Sequence, residues 1–76
     1  MELSARNQLP GSVTEVMLGN VMAEVVIDIG DGKTLVAAIT RGSVEQMGFA
    51  IGSEVVAVIK ATEVLVGTRQ RPGGAE

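Results

Sequence analysis

The chain has 76 residues, a formal net charge of −3, and neither cysteine nor histidine. That length allows one domain with a modest core, and the absent Cys and His remove disulfides and the usual ligands of zinc, copper and iron–sulfur centres. The acidic balance and the single aromatic residue, Phe49, argue against nucleic-acid binding, which draws on basic surface and stacked rings.

The first distinct segment is Ser4-Ala5-Arg6-Asn7-Gln8, a cation among small hydroxyl and amide donors. Pro10-Gly11 separates it from a β-rich stretch, Ser12–Leu18. Glu15 falls between Val13 and Met17 on one face of that stretch, which predicts a bulge or an exposed bend. Gly19-Asn20 offers a turn into a strand beginning by Val21. Within Glu24–Ile29 the residues Val25, Ile27 and Ile29 share a face, and within Thr34–Thr40 so do Leu35, Ala37 and Ile39. The Asp31-Gly32 pair between them is a tight-turn signal, so the whole reads as a β-hairpin.

Ser43–Met47 is the helix candidate, with Ser43 as N-cap, Gln46 completing a capping box, Gly48 at the left-handed position and Phe49 as the apolar contact beyond it. Gly52-Ser53 then turns into Glu54–Lys60, apolar on both faces between its charged ends. Such a strand is buried on both sides, and in so small a protein the second cover is expected from a neighbouring subunit. Glu63–Val66 reads as a short closing strand, and the chain loses its apolar pattern from Gly67. The expected organisation is one domain over 1–67 and a disordered tail over 68–76.

Periodicity alone gives an all-β small barrel. A short helix between strands 3 and 4 of five favours an OB-type barrel over SH3-like alternatives. Hydrophobic residues make up 46% of the chain, more aliphatic surface than this fold can bury alone, so an oligomer is expected. The Val55–Ile59 run is far too short to cross a membrane, and no signal peptide is visible, which points to a soluble cytoplasmic protein. The acidic residues are scattered and form no EF-hand loop, so no bare-cation site is expected.

The polar segment at Arg6 has a counterpart in Lys60-Ala61-Thr62. Arg, Lys, Ser, Thr and Asn without His or Cys form a donor set suited to an oxyanion, and two cations balance a dianion. Taken singly, an Arg or Lys at a strand end is usually a solvated charge, and Ser43 is usually only a cap. Met17, Met22 and Met47 read as core or interface filler, and Glu45 and Glu63 as surface charges.

Taken jointly, Ser4-Ala5-Arg6-Asn7-Gln8, Asp31-Gly32-Lys33, Val36–Thr40, Ser43-Val44-Glu45 and Val58–Val64 closely resemble the molbindin (Mop) family of small cytoplasmic molybdate-binding proteins. The match covers roughly residues 2–67. The resemblance implies a five-stranded OB-like Mop domain in a hexamer, a trimer of dimers, holding oxyanions at subunit interfaces. Ser4, Ala5, Arg6 and Asn7 fall on its N-terminal motif, and Lys60, Ala61 and Thr62 on its C-terminal one. The stretch from Thr40 to Val44 resembles the part given by the adjacent subunit, with Ser43 and the Val44 amide as donors. A second kind of site, near the three-fold axis, maps to Asn20 and Val21.

Molybdate is a tetrahedral dianion that only accepts hydrogen bonds, so a matching site supplies only donors. Arg6 offers a fork of N–H groups and Lys60 a compact charge, while a helix beginning at Ser43 would bring free amides. The leading expectation is molybdate binding for storage or homeostasis, with tungstate binding too and no pterin assumed. The alternative is a regulatory or interaction module that senses molybdate or delivers it to a partner. An OB-type nucleic-acid binder is disfavoured, and no nucleophile–base pair supports an enzyme.

Overall fold

The computed structural model describes residues 4–69, so the expected tail lies, beyond Arg69, outside the described residues. Its elements are β1 (Asn7–Leu18), β2 (Met22–Gly30), β3 (Lys33–Thr40), α1 (Arg41–Met47), β4 (Glu54–Ile59) and a 3-10 turn (Ala61–Glu63). The strands form one antiparallel sheet in the order β3-β2-β1-β4.

β1 organises the sheet by dividing its length between two neighbours. From Asn7 to Ser12 it pairs with β4, Asn7 opposite Ile59, and from Ser12 to Leu18 it pairs with β2, Leu18 opposite Ala23. The expected break at Pro10-Gly11 is instead a continuous strand. Pro10 lies opposite Val56, before the β2 ladder begins, so its missing N–H faces a side with no strand to receive it. Gly11 is where the strands close up: a Cβ there would sit 2.4 Å from the Asp28 carbonyl oxygen.

The bulge expected near Glu15 is present. Val13 faces Ile27 and Glu15 faces Val26, leaving Thr14 as the extra residue, its hydroxyl donating to the Val26 carbonyl at 3.3 Å. The hairpin also forms as expected. Asp31 and Gly32 have φ of 54° and 71°, the pair of positive angles that a type I′ turn requires.

The core is small and aliphatic: Val13, Ala23, Val25, Ile27 and Val44 are buried, with Phe49, Val55 and Ala57 packed against them. Val44 brings α1 onto the sheet, and burying a side chain of this size stabilises by roughly 1.5–3 kcal/mol. Gly48 ends the helix at φ 70°, its N–H donating to the Val44 carbonyl, and the Phe49 N–H reaches the same oxygen.

Three expectations meet a different arrangement in the single chain. The helix starts at Arg41 and is capped by Thr40, not Ser43, because the Thr40 hydroxyl oxygen reaches the Ser43 amide three residues on. Met17, Met22 and Met47 are exposed on this chain, so of the two readings, core or interface filler, the core one does not hold. The closing strand is absent: Ala61–Glu63 forms a 3-10 turn, and Val64–Val66 continues without pairing to any described strand. The sheet therefore has four strands and stays open between β3 and β4. An apolar cleft of about 340 Å³ runs along that opening. Val56 and Val58 remain exposed on β4, so only one face of this doubly apolar strand is covered within the chain.

Candidate oxyanion site

The pairing of β1 with β4 decides where the two polar segments go. Asn7 opposite Ile59 places Ser4–Arg6, just before β1, beside Lys60–Thr62, just after β4. Ser4, Ala5, Arg6, Lys60, Ala61 and Thr62 line one cleft of about 170 Å³. Residues more than fifty positions apart in sequence thus meet through a single register.

Within this cleft the donors outnumber the acceptors. Among the described residues the one ion pair is Arg41–Glu45, so neither Arg6 nor Lys60 has a carboxylate partner there. Among the described residues no Asp or Glu lines the cleft, and like charge would oppose an anion in it. Small residues at Ser4 and Ala5 allow the main chain to approach a bound group closely.

Two neighbours brace the cleft without lining it. The half-buried Asn7 donates from Nδ2 to the Ile59 carbonyl at 3.3 Å, clamping the two strands where they open into the site. Gln8 donates from Nε2 to the Ala5 carbonyl at 3.0 Å. That bond occupies an acceptor that would otherwise repel an oxyanion, a positioning role not expected for Gln8. Its signal in sequence was only the three-residue offset from Ala5.

The helix-start residues lie elsewhere. None of Thr40, Ser43 and Val44 lines the cleft of Arg6 and Lys60. Met22 pairs with Thr40, which puts the start of α1 beside the Gly19–Val21 turn, at the opposite end of β1 from Asn7. Its donors are largely committed. The Thr40 hydroxyl donates to Ser43 Oγ at 2.7 Å and accepts from the Ser43 amide at 3.1 Å, while the Arg41 amide donates to the Val21 carbonyl at 2.8 Å. The free amides expected from a helix beginning at Ser43 are therefore not available at Ser43. Val44 is buried at 4% exposure, and a helix capped by Thr40 directs the Val44 amide back to the cap carbonyl.

Arg41 is the cation that sequence reasoning overlooked in this second group. Its guanidinium donates to Glu45 at 3.1 Å and to the Gly19 carbonyl at 3.3 Å. It thereby fastens the turn carrying Asn20 and Val21 to the start of α1, joining two sets of expected site residues. Asn20 and Val21 are both exposed there.

Sheet, helix and cationic cleft define a class: a small OB-like β domain with an anion-suited cleft where the segment before β1 meets the turn after β4. A family model described as the TOBE domain matches residues 3–66. A probable molybdenum-pterin-binding protein of Haemophilus influenzae is 45% identical over 67 residues, spanning 88% of this chain and 97% of the relative. The solved molybdate-binding protein of Sporomusa ovata superposes with a TM-score of 0.84 at 44% identity, covering 90% of this chain and all of that one. The cytoplasmic molybdate-binding protein ModG, solved with molybdate bound, gives a TM-score of 0.77 at 38% identity over 80% of this chain and 43% of its own. The chain belongs to the TOBE-domain family, within its molbindin (Mop) branch.

Proposed function

We propose that this protein binds molybdate reversibly in the cytoplasm and serves as a store that buffers intracellular molybdenum. The observation carrying this reading is the cleft that Arg6 and Lys60 line together, with Ser4 and Thr62 beside them and no carboxylate among the described residues of its lining. Two cations match the dianion, and the hydroxyl and amide donors match four oxygens that only accept. Tungstate, of nearly the same size and charge, binds in the same way. The ligand is the bare oxyanion: Phe49, the one aromatic side chain, packs against the core rather than lining this cleft, so no ring is offered for a pterin to stack on. The protein acts by binding and release, without catalysis.

The working form is a homohexamer, a trimer of dimers, in which a neighbour closes each cleft. The open sheet, the exposed Val56 and Val58, and the distance of Thr40 and Ser43 from their own chain's cleft all support an interfacial site. In that arrangement a neighbour's helix start faces Arg6 and Lys60, and closure into a five-stranded barrel belongs to the assembly.

Titration calorimetry with molybdate, tungstate, sulfate and phosphate tests the reading. Heat is expected with the first two; none with molybdate, for correctly assembled protein, sinks it. Native mass spectrometry tests the assembly, since a monomer that binds tightly would contradict an interfacial site.

A further inference from the structure

We infer that the groove around Ser12, Asp28 and Glu54 is a guanidinium-binding site, occupied by the protein's own segment Arg69-Gln70-Arg71. The inference stands apart from the oxyanion reading and uses neither of the cations in that cleft.

The groove follows from strand register. Ser12 is the residue of β1 paired on both sides, with Asp28 of β2 and with Glu54 of β4, so the three side chains share one face in a single row. With Pro10, Gly11 and Val56 they line a groove of about 830 Å³. Both carboxylates are exposed, and among the described residues neither enters an ion pair. Asp28 accepts from the Gly30 amide on Oδ1 at 2.8 Å, which pins that carboxylate beside the groove and leaves its second oxygen without a partner among the described residues. No described Lys or Arg lines the space.

The spacing favours two separate cations over one shared metal ion. Directly paired Cα atoms lie about 4.5–5.5 Å apart, so Asp28 and Glu54 start about 10 Å apart across β1. Only a hydroxyl stands between them, and among the described residues no three acidic side chains form a metal-holding group.

The segment with matching charge is Arg69-Gln70-Arg71, which lies beyond the family match that stops at residue 66. It carries two of the chain's six Lys and Arg within three residues. In an extended segment alternate side chains project to the same side about 7 Å apart, and a proline favours extended backbone at the residue before it. Arg69 and Arg71 alternate in this way, and Pro72 follows directly. Long guanidinium stems make up the remaining few ångströms to two carboxylates about 10 Å apart. Reach is sufficient as well: Thr62 to Arg69 spans up to about 23 Å of chain, against about 17 Å from Ile59 back to Glu54 along β4.

A zero-length cross-link tests the contact. Arg69→Lys and Arg71→Lys, made separately, each replace a guanidinium by an amine that a carbodiimide couples to a neighbouring carboxylate as an amide, with loss of water. In the assembled protein a link from position 69 or 71 to Asp28 or Glu54 is the expected product, mapped by digestion and mass spectrometry. Links to other carboxylates only, or no link from either position, overturn the inference. The unsubstituted tail gives a second measurement. Asp28→Asn with Glu54→Gln, which keeps the acceptor for the Gly30 amide, should speed tryptic cleavage after Arg69 about two- to tenfold, because cleavage follows the undocked fraction. Glu15→Gln with Glu24→Gln, on the same face but outside the groove lining, should leave that rate unchanged. Equal acceleration by both pairs would mean that general charge protects the segment, and no acceleration by either would mean that the groove holds nothing; each result overturns the docking.

Discussion

The two polar groups at opposite ends of β1 carry similar side chains in different states. At the cleft of Ser4–Arg6 and Lys60–Thr62, two cations and two hydroxyls line one space, with no carboxylate among the described residues to answer them. At the start of α1, Thr40 and Ser43 bond each other and Arg41 is held by Glu45 and the Gly19 carbonyl. A donor already serving the fold has to be released before it can serve a ligand, and that release subtracts from affinity. Within one chain, the first group keeps its two cations without a carboxylate partner among the described residues, and the second spends its donors on a helix and a turn.

The sharpest break in this comparison is Arg6→Ala. In a cleft closed by a neighbour it should weaken molybdate binding by roughly 2–5 kcal/mol, the cost of stripping one partner from a buried charge pair. Calorimetry would then read a loss on the order of thirty- to several-thousand-fold. A loss near fivefold would instead place Arg6 in open solvent, where an exposed pair contributes about 0–1 kcal/mol. The folding midpoint should stay where it is in either case.

Gly11→Ala attacks the frame rather than the donors. Its Cβ meets the Asp28 carbonyl and the Ile27 side chain, so β1 and β2 must part, at about 1–3 kcal/mol by analogy with overpacked cores. Urea unfolding should register the loss, and an unchanged midpoint would mean that the strands relax freely at this point.

Thr40→Ala removes the α1 cap and should lower stability by about 1 kcal/mol. If the helix start serves only its own chain, affinity per folded protomer stays constant; a tenfold fall would assign Thr40 to a neighbour's site. Ser43→Ala should change stability least, by about 0.5 kcal/mol or less, since the Thr40 hydroxyl still accepts from the backbone amide at position 43. A calorimetric loss with Ser43→Ala but not Thr40→Ala would show that the Ser43 hydroxyl faces a neighbouring ion.

What was legible in the sequence was mostly local. Asp31-Gly32 announces its turn because both positions need positive φ, and Gly48 its helix end for the same reason. The bulge shows in the broken alternation around Glu15. Ser43 and Gln46 match the capping-box spacing, yet the geometry of β3 running straight into α1 puts the cap at Thr40, which that spacing does not reveal. Val64–Val66 has a strand's composition, yet a strand exists only where an edge receives it, and no local pattern reports that.

The site divides along the same line. Arg6 and Lys60 stood out by residue type, and the register of β1 with β4 supplies their meeting. Gln8 and Arg41 were missed because their value lies in which carbonyls they reach, Ala5 and Gly19, and neither is written in a short motif.

The cleft also fastens the beginning of the fold to its end, since Ser4 and Thr62 share its lining. A few linking residues between those ends, with new termini cut at the exposed Asp31-Gly32 tip, make a circularly permuted chain with the same sheet. In that permutant the two cation-bearing segments become one continuous loop, and the order in which the strands leave the ribosome is rearranged. The domain is a ring in all but covalent bonds, and its clasp is the place where charge gathers.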